Sequence, residues 1–286
     1  MLTLFHWLSR RPLWFLHGLG AALGWLTYWA SPTYRRRFHQ NVHQAGIEPG
    51  TARPAIAAAG RMVAELPFLW LRPAGETIKP RLEWQGREVL AQALQSGRGV
   101  VLMTPHLGSF EVTAQAIAQE FAKTYGPVTA LYRPARKAML REVMERSRAR
   151  PGVATAPANL AGVRLMIRAL RRGEAVALLP DQVPPEGMGV WVPFFGKPAY
   201  TMTLAARLIQ QTGAVPLLMW GERLGHGAGF VVHFSELGET LPADDDTQAE
   251  SATVINRAME RLIRRCPQQY LWGYNRYKKP RSAGPA

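Results

Sequence analysis

Apolar and polar positions follow two rhythms along most of this chain. Short apolar runs at Leu82–Trp84, Val100–Met103, Val128–Tyr132, Glu174–Leu179, Val215–Trp220 and Phe230–Phe234 read as strands. Between and around them, apolar residues recur at helical spacing over Arg53–Leu71, Arg87–Gln95, Ser109–Thr124, Lys137–Arg148, Leu160–Arg171, Thr201–Gln211 and Asp246–Arg265. Strands alternating with helices predict an α/β fold with a mostly parallel central sheet, flanked by helices on both faces.

One segment stands outside this alternation. Leu13–Ala30 has no formal charge apart from His17, carries Trp14, Trp25, Tyr28 and Trp29, and is followed by Arg35, Arg36 and Arg37. As a helix it would be about 27 Å long, just short of a typical hydrocarbon core. It reads as an N-terminal membrane-anchoring helix with basic flanks, either spanning the bilayer or lying in its interface. A cleaved signal peptide is disfavoured, because Tyr28 stands three residues before a cut after Ala30. A helix buried in the globular core is the other reading. The expected division is residues 1–40 as anchor and 41–286 as one α/β domain.

Composition narrows the partners. Lys and Arg total 35 against 20 Asp and Glu, a formal charge of +15, which points to an anionic partner: nucleic acid, anionic lipid or an acidic carrier protein. The basic residues are spread without a groove-reading motif, which argues against nucleic acid. The single cysteine, Cys266, excludes an internal disulfide and a cysteine-rich metal cluster. No HExxH or glycine-rich dinucleotide fingerprint is present, so no metal or redox cofactor is expected.

The stretch Val100–Glu111, VVLMTPHLGSFE, carries the main chemical candidate. His106 and Glu111 are separated by four residues, a pattern expected by chance in roughly half an instance for such a composition. It also occurs at His43 and Glu48. Context separates the two pairs. His43 follows no strand, whereas His106 follows a buried-type strand and precedes a helix start, where α/β proteins place ligands. On one continuous helix the two side chains would point about 140° apart, so His106 must lie outside the helix and Glu111 in its first turn. Pro105, Gly108 and Ser109 supply the break, with Ser109 a plausible N-cap. Glu111 can then turn back to one ring nitrogen, leaving the other to take a proton from a hydroxyl. A core histidine bonded to a helix-capping glutamate is the alternative. Ser109 as nucleophile lacks the Gly-x-Ser-x-Gly elbow.

Six motifs carry a resemblance over nearly the whole chain: TPHLGSFE; LYRP at Leu131–Pro134; Asn159–Glu174, NLAGVRLMIRALRRGE; LLPDQ at Leu178–Gln182; Val190–Thr203, VWVPFFGKPAYTMT; and Pro267–Pro280, PQQYLWGYNRYKKP. Together they resemble the late acyltransferases of lipid A biosynthesis, the lauroyl and myristoyl transferase family, within the lysophospholipid acyltransferase superfamily. The resemblance implies an enzyme at the bacterial inner membrane with its catalytic domain on the cytoplasmic side. It would transfer a fatty acyl chain from acyl-carrier-protein thioester to a hydroxyl of a lipid A precursor. Another glycolipid acceptor, acyl-coenzyme A as donor, and a non-enzymatic basic membrane or nucleic-acid-binding protein are the alternatives.

By the same resemblance, His106 is the general base and Glu111 its orienting partner. Asp181 takes the acidic position of the PDQ motif, either orienting a substrate or arginine or capping a loop. Arg148 falls where the family keeps a functional arginine, after Ser147 in place of glycine. Arg133, Arg148 and Arg168 are candidates for phosphopantetheine or acceptor phosphates, since planar guanidinium suits phosphate; solvated surface charge is the other reading for each. Asn275 stands where relatives commonly have arginine. Backbone N–H groups over Gly108–Phe110 are candidates for an oxyanion site. Val190–Gly196 is either acyl-pocket lining or a core strand.

Overall fold

The computed structural model describes residues 2–73, 76–78, 81–132, 150–242 and 247–281. Nine strands lie among them: β1 Leu82–Gln85, β2 Val100–Met103, β3 Val128–Tyr132, β4 Val153–Pro157, β5 Ala175–Leu178, β6 Gly189–Phe194, β7 Lys197–Met202, β8 Val215–Arg223 and β9 Phe230–Glu236. Seven form one sheet in the order β1-β9-β8-β2-β5-β3-β4, and β6 and β7 form a separate hairpin. In the large sheet only the β8–β9 pairing is antiparallel. The most continuously apolar runs, VVLM in β2 and AVAL in β5, are neighbours near its centre and buried along their whole length.

Side chains alternate between two cores. Val101, Met103, Val176 and Leu178 face one side and pack with the helices Leu160–Arg171, Leu204–Thr212 and Gln248–Arg265. Val100, Leu102, Ala175 and Ala177 face the other, against Arg87–Gln95 and Phe110–Tyr125. The α/β architecture and parallel core expected from the sequence are present.

Several boundaries differ. Arg53–Leu71 is two helices, Ala55–Ala64 and Leu66–Trp70, because Pro67 starts a new turn and Glu65 at the junction is drawn inward by Arg223. Thr201 lies in β7, which runs to Met202, and the helix expected from Thr201 begins at Leu204. Val190–Phe194 lies in β6 with Val192 and Phe194 buried; the two-residue turn Phe195–Gly196, both at positive φ, closes the hairpin onto β7. Two elements had no clear periodic signal. β4 is a short edge strand, and the helix Pro32–Gln44 is announced only by its Ser31 cap and Pro32. The expected helix Lys137–Arg148 lies outside the described residues.

Leu13–Ala30 is a helix, and it docks on the α/β unit. Leu13, Leu16, His17, Gly20 and Gly24 form its buried face, against Ala55–Ala64. A Cβ on Gly60 would lie 1.9 Å from the Gly20 carbonyl oxygen, and one on Gly24 would lie 2.2 Å from that of Ile56. Glycine therefore sets the approach of the two helices. The opposite face leaves Trp14, Leu19, Leu23, Leu26 and Trp29 exposed. Among the described residues, no helix is long and apolar enough to cross a membrane.

This packing generates a paired prediction. Gly60→Ala should destabilise the fold by about 1–3 kcal/mol and lower the thermal midpoint by about 2–8 °C. Gly18→Ala, where an added Cβ meets nothing within 4 Å, should leave the midpoint unchanged or raise it. Calorimetry of the two variants decides, and equal midpoints would contradict the glycine contact.

Candidate functional site at the carboxyl end of the sheet

Strands β2 and β5 run parallel with Met103 opposite Leu178. Three residues beyond each partner stand His106 and Asp181, so the sheet register carries both to the same end of the crevice. His106 Nδ1 lies 2.7 Å from Asp181 Oδ1, and the His106 backbone N–H donates to Asp181 Oδ2 at 2.9 Å. Asp181 is 2% exposed and accepts a third bond from the Tyr270 hydroxyl at 3.3 Å. Burial alone would raise the Asp181 pKa, but His106, its two hydrogen bonds and the Arg276 charge outweigh it and hold the carboxyl below its ordinary value. The ionised carboxylate accepts the hydrogen bond of Nδ1–H, so the ring proton stays on Nδ1 and Nε2 is left as an acceptor. Nε2 faces the Gln182 side-chain amide at 3.0 Å.

The loop holding His106 is fixed from three directions. Gly108 N–H donates to the Gln269 carbonyl, Ser109 N–H to that of Gly221, and Leu271 N–H to that of His106. Gly108 is at φ 59°, where a Cβ would meet the Gly221 oxygen at 2.0 Å, so only glycine fits this crossing. Beneath it, Arg223 donates to the Gly108 carbonyl and binds both carboxylate oxygens of Glu65, at 2.8 and 2.6 Å. Glu65 also meets His17 Nε2 of the N-terminal helix at 3.1 Å.

His106 opens onto a cavity of about 870 Å³, in the upper range for ligand pockets. Its walls are mainly apolar, including Phe110, Leu131, Val163, Ile167, Leu179, Leu204, Leu208 and Met219. Glu111, Gln182, Arg164 and Arg207 supply polar groups. An apolar chamber with a histidine acceptor at its wall can hold a long hydrocarbon chain beside a proton-transfer group.

The sequence-predicted residues fall as follows. His106 precedes the helix Phe110–Tyr125 and Glu111 lies in its first turn, as expected. The expectation that Glu111 turns back to the imidazole is not met, because Asp181 and Gln182 take the two ring nitrogens. The Phe110 ring packs against His106 at 5.0 Å, and Glu111 lines the cavity with its Oε2 accepting from Trp70 Nε1 at 3.3 Å. Ser109 is at the N-cap position but makes no side-chain cap bond. The Gly108 and Ser109 N–H groups, expected as an oxyanion site, are bound within the fold. Arg168 is exposed and does not line the cavity. Arg133 and Arg148 lie outside the described residues. His43 is exposed in the last turn of Pro32–Gln44, away from the cavity lining. Near the chain end, Arg276 is buried and binds the Tyr200 carbonyl and Thr201 hydroxyl. Gln182, Tyr270, Arg164 and Arg207 were not singled out from sequence; the first three lie inside the quoted motifs, which is the signal that marked them.

The family model of the bacterial lipid A biosynthesis acyltransferases matches residues 49–279. A lipid A biosynthesis palmitoleoyltransferase of Escherichia coli K12 is 26% identical over 220 residues, 77% of this chain and 68% of the relative. The myristoyltransferase of that strain is 26% identical over 219 residues, 76% and 65% of the two chains. Its lauroyltransferase is 25% identical over 222 residues, 77% and 69%. With the matched segment spanning the sheet, His106, Asp181 and the whole cavity wall, this chain belongs to the bacterial lipid A biosynthesis acyltransferase family and is an acyltransferase.

Proposed function

We propose that this protein transfers a fatty acyl chain from an acyl-carrier-protein thioester to a hydroxyl of a lipid A precursor, with His106 as general base. The observation that carries this reading is the His106–Asp181 pair set at the wall of a large apolar cavity. The acceptor hydroxyl displaces the Gln182 amide from Nε2 and gives its proton to that nitrogen as its oxygen bonds to the thioester carbonyl carbon. Asp181 balances the imidazolium. The carbon–sulfur bond then breaks, and the leaving thiolate recovers the proton. This is the histidine and carboxylate portion of a hydrolase triad, with the nucleophile brought by the substrate. Glu111, fixed by Trp70, positions the acceptor from the cavity wall, while Arg164 and Arg207 face anionic groups of donor or acceptor.

The exposed face of Leu4, Trp7, Trp14, Leu23, Leu26 and Trp29, flanked by Arg10, Arg11 and Arg35–Arg37, seats the protein on the inner membrane. The docked posture of Leu13–Ala30 favours a helix lying in the interface, with the catalytic domain on the cytoplasmic side.

Three measurements test this. His106→Ala should lower transfer from acyl-carrier protein to lipid A precursor by about 10²–10⁴-fold with membrane association kept, while His43→Ala should change it little. Equal losses at the two histidines would refute the assignment. Asp181→Asn should lose a comparable factor, whereas Glu111→Gln should mainly raise the acceptor KM; a near wild-type rate for Asp181→Asn would remove Asp181 from the mechanism. The folded Asp181 pKa lies below its unfolded value of about 3.9, so its ionisation stabilises the fold above that value. That contribution is lost as pH falls through the folded pKa. Denaturant unfolding should show a larger penalty for Asp181→Asn at neutral pH than near pH 2.5, and the reverse order would contradict the ion pair.

A further inference from the structure

The helix Leu160–Arg171 carries Arg164, Arg168 and Arg171, all exposed. At helical spacing they fall within an arc of about 60° and extend over about 10 Å of helix axis. None has an ion-pair partner among the described residues, although the adjacent Arg172 is paired with Glu174. The chain has no acidic residue between Arg150 and Gly173. Arg168 and Arg171 stand in the last turn, where cations complement the helix dipole, but like charges one turn apart offset that gain, so helix stability gives the row no full account.

Its position supplies one. Arg164 lines the cavity together with Arg207 from the helix Leu204–Thr212, while Arg168 and Arg171 continue the row away from the cavity. A phosphate on a flexible arm can reach the inner two arginines. The outer two require an extended acidic surface. Leu160 and Leu165, both exposed, flank the row.

We propose that this face docks the acidic protein that carries the acyl thioester, so that its phosphopantetheine arm enters past Arg164 and Arg207. This rests on the reading of the donor as a carrier-bound thioester. An anionic bilayer would also complement the charge, but bilayer interfaces favour Trp and Tyr. The large exposed apolar side chains of this helix are leucines, whereas Trp7, Trp14 and Trp29 stand on the N-terminal helices. Charge complementarity beside the cavity, on a helix without interfacial aromatics, therefore favours the carrier.

The test is the double variant Arg168→Glu with Arg171→Glu in the full chain, compared with wild type using acyl-carrier protein and acyl-pantetheine as donors. The expected result is a rise of tenfold or more in KM for the carrier, little change in kcat, and unchanged transfer from acyl-pantetheine. Lysine at both positions should restore most of the carrier affinity. Equal losses with both donors would overturn the proposal by placing the arginines in the cavity chemistry. So would an unchanged carrier KM, and if that came with lost sedimentation on phosphatidylglycerol vesicles, the face would be a lipid contact. Titration of carrier onto His106→Ala separates the two readings. Binding that survives the charge reversal overturns the docking face alone, whereas no binding, with transfer only from small thioesters, overturns the carrier donor as well.

Discussion

A buried carboxylate that must stay ionised is the constraint on which the site depends. Asp181 is withdrawn from water, a costly place for a negative charge unless it is fully bonded. Three groups make it tolerable: the imidazole and backbone N–H of His106 and the hydroxyl of Tyr270. They come from two residues far apart in the chain, His106 and Tyr270. The requirement to satisfy Asp181 therefore ties the end of β2, the end of β5 and the C-terminal segment together, and it fixes which histidine nitrogen faces the cavity. The same carboxylate that stabilises the junction selects the tautomer able to accept a proton.

A second buried ionic cluster supports the first from below. Glu65 joins Arg223 and His17, and Arg223 reaches the carbonyl of Gly108 two residues after His106. Desolvation, which would raise the Glu65 pKa, is outweighed by Arg223 and His17, so the glutamate is held ionised. Burial lowers the His17 pKa against the pull of Glu65. The N-terminal helix is thus bonded into the scaffold of the His106 loop through side chains as well as through its glycine contact. Its exposed apolar face and its buried face, where His17 meets Glu65, serve different surroundings, which explains why a segment with so little charge carries a histidine.

Charge is divided between these two environments. Buried arginines such as Arg223 and Arg276 are consumed by backbone carbonyls, hydroxyls and carboxylates of the fold. Arg164, Arg168, Arg171 and Arg207 remain exposed, with Arg164 and Arg207 lining the cavity. Net charge alone could not separate these groups, because the fold decides which guanidinium is already occupied.

Much of the architecture was legible from local pattern. The apolar runs at β2 and β5, the helix starting just after His106, and the placement of His106 at the end of a buried strand all follow from rules acting over a few residues. The motifs carried the family resemblance, because motif order survives where overall identity is low. Local pattern could not choose the carboxylate that meets the imidazole. Glu111 is five residues from His106 and Asp181 is seventy-five, yet Asp181 makes the bond, because β2 and β5 lie side by side in a sheet whose strand order no spacing reveals. The same holds for the Gly108 and Ser109 amides, taken by Gln269 and Gly221, and for Arg168, whose helical face is known only once the helix is docked. The sequence by itself determined most of the strands and helices, the placement of His106 between a strand and a helix, and the chemical class. The tertiary structure alone decided which distant residues pair, since hydrogen bonds are chosen by proximity in space and sheet order sets that proximity.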